Sequence, residues 1–91
     1  MAITPSPGNS ICIRIRFPND VESLAAVTSA IAKAGGKAGA IDIVESHRTY
    51  VIRDMAIDTT GDEQAQQITQ AVKAVAGIEV VSVHDLSLIH I

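Results

Sequence analysis

Cys12, His47, His84 and His90 are the side chains of this sequence best suited to hold a metal ion or to attack a substrate. None of them stands at the close spacing that a structural zinc site uses. Cys12 alternates with the aliphatic residues of its segment, which places it on a polar face, and a catalytic thiolate there would need a basic partner. An interface or spectator role is the simpler reading. Asp54 and Asp58 share one side of an extended segment about 13 Å apart, too far to share a proton, so they read as solvated or ion-paired carboxylates. Gly35-Gly36-x-x-Gly39 follows a helical pattern, whereas a dinucleotide-cradling loop precedes its helix; a helix cap explains the glycines. No catalytic residue and no metal ligand set emerges, and the sequence reads as a binding or assembly module.

Composition narrows the partners. The 91 residues carry a net charge of −3, and the seven basic residues are scattered along the chain, which argues against a surface that tracks phosphates. With one Tyr, one Phe and no Trp, the chain also lacks the aromatic platforms that stack bases, so no nucleic-acid partner is expected. No apolar run approaches the roughly 20 residues that span a bilayer, and the opening Met1-Ala2-Ile3-Thr4-Pro5-Ser6-Pro7 is unlike a signal peptide. A single cysteine excludes an intrachain disulfide and fits a reducing compartment, so no membrane partner and a cytoplasmic location are expected.

The elements that position these residues follow from periodicity. Residues 1–9, with Pro5, Pro7, Gly8 and Asn9, read as a disordered lead-in, and the ordered domain is expected over residues 10–85. Ile11, Ile13, Ile15 and Phe17 alternate with Ser10, Cys12, Arg14 and Arg16 in a half-buried strand that Pro18 ends. Asn19 or Asp20 caps a helix striped by Leu24, Val27, Thr28 and Ile31, with Glu22 placed as in a capping box and Gly35-Gly36 as its stop. Lys37 to Glu45 is a second strand, whose Ala38, Gly39 and Ala40 leave room for a backbone or a ligand.

A third strand runs from Arg48 to Asp58. Its parity leaves the core face open between Val51, Arg53, Met55 and Ile57 on one side and Ile52, Asp54 and Ala56 on the other. Thr60-x-x-Glu63 reads as a capping box for a second helix striped by Ala65, Ile68, Val72 and Val75, and Ile78 to Val83 is a fourth strand. The order βαββαβ with short connections predicts an α+β, ferredoxin-like sandwich: an antiparallel sheet in spatial order 4-1-3-2 with both helices on one face and the other face open. In that order Arg14 or Arg16 faces Asp54 across the ladder. Residues 86–91, Leu-Ser-Leu-Ile-His-Ile, resemble the translation of a sequencing adaptor. Whether the tail is foreign or the chain is cut from a longer one, a downstream part is expected to be missing.

Phe17-Pro18-Asn19 followed by Leu24 to Gly36 resembles the opening of an ACT domain, the small-molecule-sensing module of many metabolic enzymes. Gly39-Ala40-Ile41-Asp42-Ile43-Val44-Glu45 and Val51-Ile52-Arg53-Asp54-Met55-Ala56-Ile57-Asp58 are similar to the ACT domain at the amino terminus of certain bacterial NAD-dependent malic enzymes. The resemblance implies a homodimer, side by side or face to face, and an amino-acid-type effector held by Asn19, Asp20, Val21 and Glu22 together with Lys37, Ala38 and Gly39. Free amides at a helix start attract a carboxylate. This chain has Val21-Glu22 where many ACT domains have Pro-Gly, and Asp20 and Glu22 add negative charge at that point.

For a malic enzyme parent the resemblance implies oxidative decarboxylation of malate with NAD and a divalent metal, both bound by a catalytic part that these residues do not include. The partners implied are a second copy, that catalytic part and the effector. Two alternatives stand beside this reading. One is a ligand-free dimerisation module of the same fold. The other is a small acylphosphatase-like enzyme, which would need an anion-cradling loop with an arginine where this chain has Asp20 and Glu22.

Overall fold

A computed structural model of the protein describes residues 6–86. Its order is β1 (Ser6–Pro18), α1 (Val21–Lys33), β2 (Lys37–Ser46), β3 (Tyr50–Thr59), α2 (Asp62–Lys73) and β4 (Glu79–Asp85). All three strand pairings are antiparallel and the sheet order is β2-β3-β1-β4, so the fold is the ferredoxin-like α+β sandwich that the periodicities predict.

β1 begins at Ser6, earlier than the Ser10 expected, because the ladder to β3 resumes at Ser6 and Thr59 after an irregularity. Residues 1–5 of the expected lead-in and residues 87–91 of the tail lie outside the described residues. Leu86, the first residue of that tail, donates its backbone N–H to the Ser10 carbonyl at 2.7 Å.

The core sits between the odd-numbered residues of β1 and β3 and one stripe of each helix. Ile13, Ile15, Phe17, Val27, Ile31, Met55, Ile57, Ile68 and Val72 are fully enclosed, Ile11 nearly so, and Leu24 packs at the margin. This decides the face of β3 that the sequence leaves open: Val51, Met55 and Ile57 are the buried side. Arg53 therefore stands among core residues, its guanidinium 5.1 Å from the centroid of the Phe17 ring. The ring face offers the cation an electrostatic partner, yet the buried Nη1 has no hydrogen-bond partner among the described residues.

The helix starts differ from the expected capping boxes. Asp20, not Asn19, caps α1, accepting the Ser23 N–H at 2.8 Å. Gly61 holds the cap position of α2 without a side-chain bond, and the Gln64 amide oxygen, not Glu63, reaches back to accept the Thr60 N–H at 2.8 Å. Gly35 takes the left-handed conformation that stops α1, with φ of 88°. Its neighbour Gly36 is needed for a different reason. A Cβ there would lie 2.7 Å from Ile68 Cδ1 and 3.1 Å from methyls of Ile31 and Ile57, so the absence of a side chain lets the α1–β2 turn close on the core.

Both outer strands are irregular. β4 carries a bulge at Val81, between the pairs Arg14–Ser82 and Ile15–Val80. β2 shifts register between Ala38 and Ile41 and again between Ile43 and Glu45, and every one of its residues is exposed. Ile41 and Ile43 are on the helix side, opposite Met55 and Arg53, but among the described residues no helix covers them, and Ile43 is 63% exposed.

Candidate functional site

Chain direction decides where the expected effector residues go. β1 ends at Pro18, paired with Tyr50, so Asn19, Asp20, Val21 and Glu22 lie at the end of the sheet where the β2–β3 turn is found. Asn19 belongs to that turn: its side-chain amide donates to the carbonyls of Arg48 at 3.2 Å and His47 at 3.4 Å. Asp20 is occupied by the Ser23 N–H, which also holds its carboxyl below the usual carboxylate range. Val21 and Glu22 are exposed in the first turn of α1.

Lys37, Ala38 and Gly39 open β2 after α1 has traversed the sheet, with Lys37 in register with Asp58 and Ala38 with Ile57. They are exposed, and a Cβ on Gly39 would sit 3.5 Å from the Ala56 carbonyl, an ordinary contact. A 13-residue α-helix is about 20 Å long. Within one chain the two halves of the expected site are therefore at opposite ends, and one small ligand does not touch both.

The even-numbered residues of β1 and β3 form the open face of the sheet, and its charges are arranged in cross-strand rows. In the central row Arg14 forks Asp54, with Nε to Oδ1 at 2.8 Å and Nη2 to Oδ2 at 3.0 Å, as the strand order requires. The bond to Arg14 holds the Asp54 carboxyl below its usual range. Asp42 on β2 stands opposite Asp54, a like-charge pair that the guanidinium offsets. In the next row Cys12 lies between Ala56 and His84, so the thiol is on the open face as expected. Partial burial, then the Asp54 charge, pushes its pKa up. Asp58, the second carboxylate of β3, accepts from the Ser10 hydroxyl at 2.7 Å.

A third cluster lies at the end of the open face beside the β2–β3 turn. The Tyr50 ring stacks on His47 with centroids 4.3 Å apart, and the Arg16 guanidinium sits 3.9 Å from the Tyr50 centroid. His47 Nε2 is 2.9 Å from Glu45 Oε1. Arg16 pairs in the ladder with Glu79 on β4, yet among the described residues neither forms an ion pair. Between them opens a cleft of about 350 Å³ walled by Pro18, Thr49, Tyr50, Gly77 and Ile78. Sequence reasoning missed this cluster because it joins three connections far apart in the chain. The available signal was Tyr50, the only tyrosine, two residues from the ladder partner of Arg16.

A larger groove, about 1060 Å³, runs between α2 and β4 over Ile11, Ala65 and Val83 with Asp62, Glu63 and Asp85 at its rim. Gln66, Gln67, Thr69 and Gln70 complete its polar lining. Among the described residues no three His, Cys, Asp or Glu are grouped to hold a metal ion. Gly35-Gly36 lies behind α1, not between a strand and a helix start, so these residues do not fit a dinucleotide either. No helix of the described residues is long and apolar enough to cross a membrane.

No protein-family model matches the chain. Over 92 aligned residues that take in 100% of it, the chain is 33% identical to the NAD-dependent malic enzyme of Geobacillus stearothermophilus, and spans 19% of that protein's length. The solved structure described as GqqA, a novel type of quorum quenching acylase, superposes with a TM-score of 0.52 at 16% identity, covering 93% of this chain and 46% of that one, a likeness of fold alone. The de novo designed protein Ferredog-Diesel superposes with a TM-score of 0.48 at 20% identity, covering 90% of both chains. The sequence match thus ties the chain to a short segment of a malic enzyme.

Proposed function

We propose that the chain is a regulatory ACT-type domain of a malic enzyme-like protein of the cytoplasm. In this reading it dimerises and senses an amino-acid-type effector, while malate oxidation with NAD and a divalent metal belongs to a catalytic part outside these residues. The observation that carries the reading is β2. It is an edge strand with every residue exposed, Ile41 and Ile43 uncovered on the helix side, and regular pairing to β3 through Ile41, Asp42 and Ile43 between its two register shifts. An edge of this kind invites a second strand.

Two copies related by a two-fold axis pair such edges antiparallel. The start of β2 in one copy then lies beside the end of β2 in the other. That brings the Lys37–Gly39 segment of the second copy to the end of the sheet where Asn19–Glu22 of the first lie, an end that the two segments do not share within one chain.

Sedimentation tests the reading. The chain should be dimeric at micromolar concentration and Ile43→Asp monomeric; a wild type that stays monomeric at high concentration overturns it. Calorimetry with amino acids tests the sensing half, with Glu22→Gly expected to bind more tightly because it removes a charge and a side chain from the helix start. A ligand-free dimerisation module is the second reading. It is favoured by Asp20, whose side chain already occupies a helix-start amide that an effector carboxylate would need.

A further inference from the structure

We infer that the cleft between Arg16 and Glu79 is a binding site for a zwitterionic α-amino acid, complete within one chain and separate from the β1–α1 loop. It goes beyond the dimeric sensing reading, because neither β2 nor a second copy takes part in it.

Opposite charges directly across an antiparallel ladder have their Cα atoms about 4.5–5.5 Å apart and ordinarily meet. Arg16 and Glu79 hold that register and do not meet. The guanidinium is drawn aside onto the Tyr50 ring at 3.9 Å, and Tyr50 is itself held by the stack with His47, which Glu45 contacts at 2.9 Å. Stacking of this kind occupies the face of a guanidinium and leaves its N–H edge free to fork a carboxylate. The cation is thus oriented before any ligand arrives, and little side-chain freedom is lost on binding.

Glu79 stands on the other side of the cleft, exposed and without an ion-pair partner among the described residues. It supplies the counter-charge for an ammonium group. Pro18 and Ile78, both half-buried, give an apolar wall between the two charges, and Gly77 keeps the wall open: its φ of 83° bars most side chains, and the nearest atom to a Cβ placed there is Pro18 Cγ at 3.9 Å. A carboxylate fork, an ammonium acceptor and a short apolar wall are the three features of an α-amino acid. The volume of about 350 Å³ suits one with a small or medium aliphatic side chain. A simple dianion would be repelled by Glu79, and a simple amine by Arg16.

The test is a nuclear magnetic resonance titration of the 91-residue chain with L-leucine, L-serine, 4-methylpentanoate, which is leucine without its ammonium, and isopentylamine, which lacks the carboxylate. L-leucine should bind with a Kd of about 1 mM and move the Gly77 and Tyr50 amides and the Arg16 side-chain signal, with both half-ligands at least about tenfold weaker. Arg16→Gln should weaken leucine by at least about tenfold and Arg16→Lys less. Glu79→Gln should remove the preference for leucine over 4-methylpentanoate. Both side chains are exposed, and circular dichroism will confirm that the variants fold. Leucine binding that survives Arg16→Gln and moves Asn19–Glu22 instead overturns this site and leaves the sensing reading standing. No binding of either amino acid overturns this site, and the Glu22→Gly calorimetry then judges the loop separately.

Discussion

Arg14 and Asp54, 40 residues apart in sequence, lie directly opposite each other in the β1–β3 ladder and are joined by two hydrogen bonds at 2.8 and 3.0 Å. The pair stands at the middle of the open face with side chains 42% and 26% exposed, so solvent screens it and its contribution to stability is modest. Its larger effect is on specificity. Asp42 faces Asp54 from β2, and without Arg14 the two carboxylates would repel across the β2–β3 ladder.

The pH dependence follows from Asp54 and Asp20, both held below the ordinary carboxylate range, the first by Arg14 and the second by the Ser23 amide. A depressed carboxyl contributes stability above its unfolded pKa and loses it as pH falls through its folded value. Urea midpoints should therefore hold near neutrality and drop as pH falls through the ordinary Asp range of about 4 and below it. Asp54→Asn should be less stable than the wild type at neutral pH, with the difference shrinking in acid. A difference that widens in acid would contradict the assignment.

Gly36 and Gly39, close together in the chain, should respond differently to alanine. Gly36→Ala drives a Cβ against Ile68 at 2.7 Å and against two β-branched methyls at 3.1 Å, an overpacking that costs about 1–3 kcal/mol in the unfolding free energy. Gly39→Ala meets only the Ala56 carbonyl at 3.5 Å and should be tolerated. Equal effects in denaturant titrations would show that the α1–β2 turn relaxes more easily than its packing implies.

Arg53→Met should keep or raise stability. The long apolar chain still covers Phe17, while the buried Nη1 without a partner is removed, and an unsatisfied buried donor costs about 1–3 kcal/mol. Arg53→Ala should instead destabilise by losing the covering stem. Chemical denaturation of the two variants separates the charge from the packing.

Cys12 should react slowly with thiol reagents near neutral pH. Partial burial and the neighbouring Asp54 both disfavour the thiolate, although Arg14 acts the other way. Arg14→Gln should slow alkylation further and Asp54→Asn should hasten it. Rates of iodoacetamide modification across pH measure both.

Much of the fold was legible because β1 alternates: Ile11, Ile13, Ile15 and Phe17 are all buried, whereas Cys12, Arg14, Arg16 and Pro18 are not. The strand order left Arg14 or Arg16 to face Asp54, and the register selects Arg14. β3 was not legible, since Arg53 shares the parity of Val51 and Met55, and only the Phe17 ring beside it makes that side tolerable for a cation. The residues expected to hold an effector were grouped by resemblance, but α1 carries the chain from Glu22 to Lys37 across the length of the sheet. The Arg16 cleft depends on where the β2–β3 turn and the α2–β4 turn converge, and local periodicity holds no record of that.

The backbone bond from Leu86 to Ser10 brings the two ends of the described chain to the same pole of the sheet, on neighbouring antiparallel strands. Tension applied through both ends would load the β1–β4 hydrogen bonds one after another, as a zip, instead of shearing them all at once. The domain should therefore yield at low force when pulled from its ends, with β4 peeling away first while the β1–β3 pair and the Arg14–Asp54 fork hold. Such a unit is a compliant mechanical element: it extends early under load and closes again once the load is released.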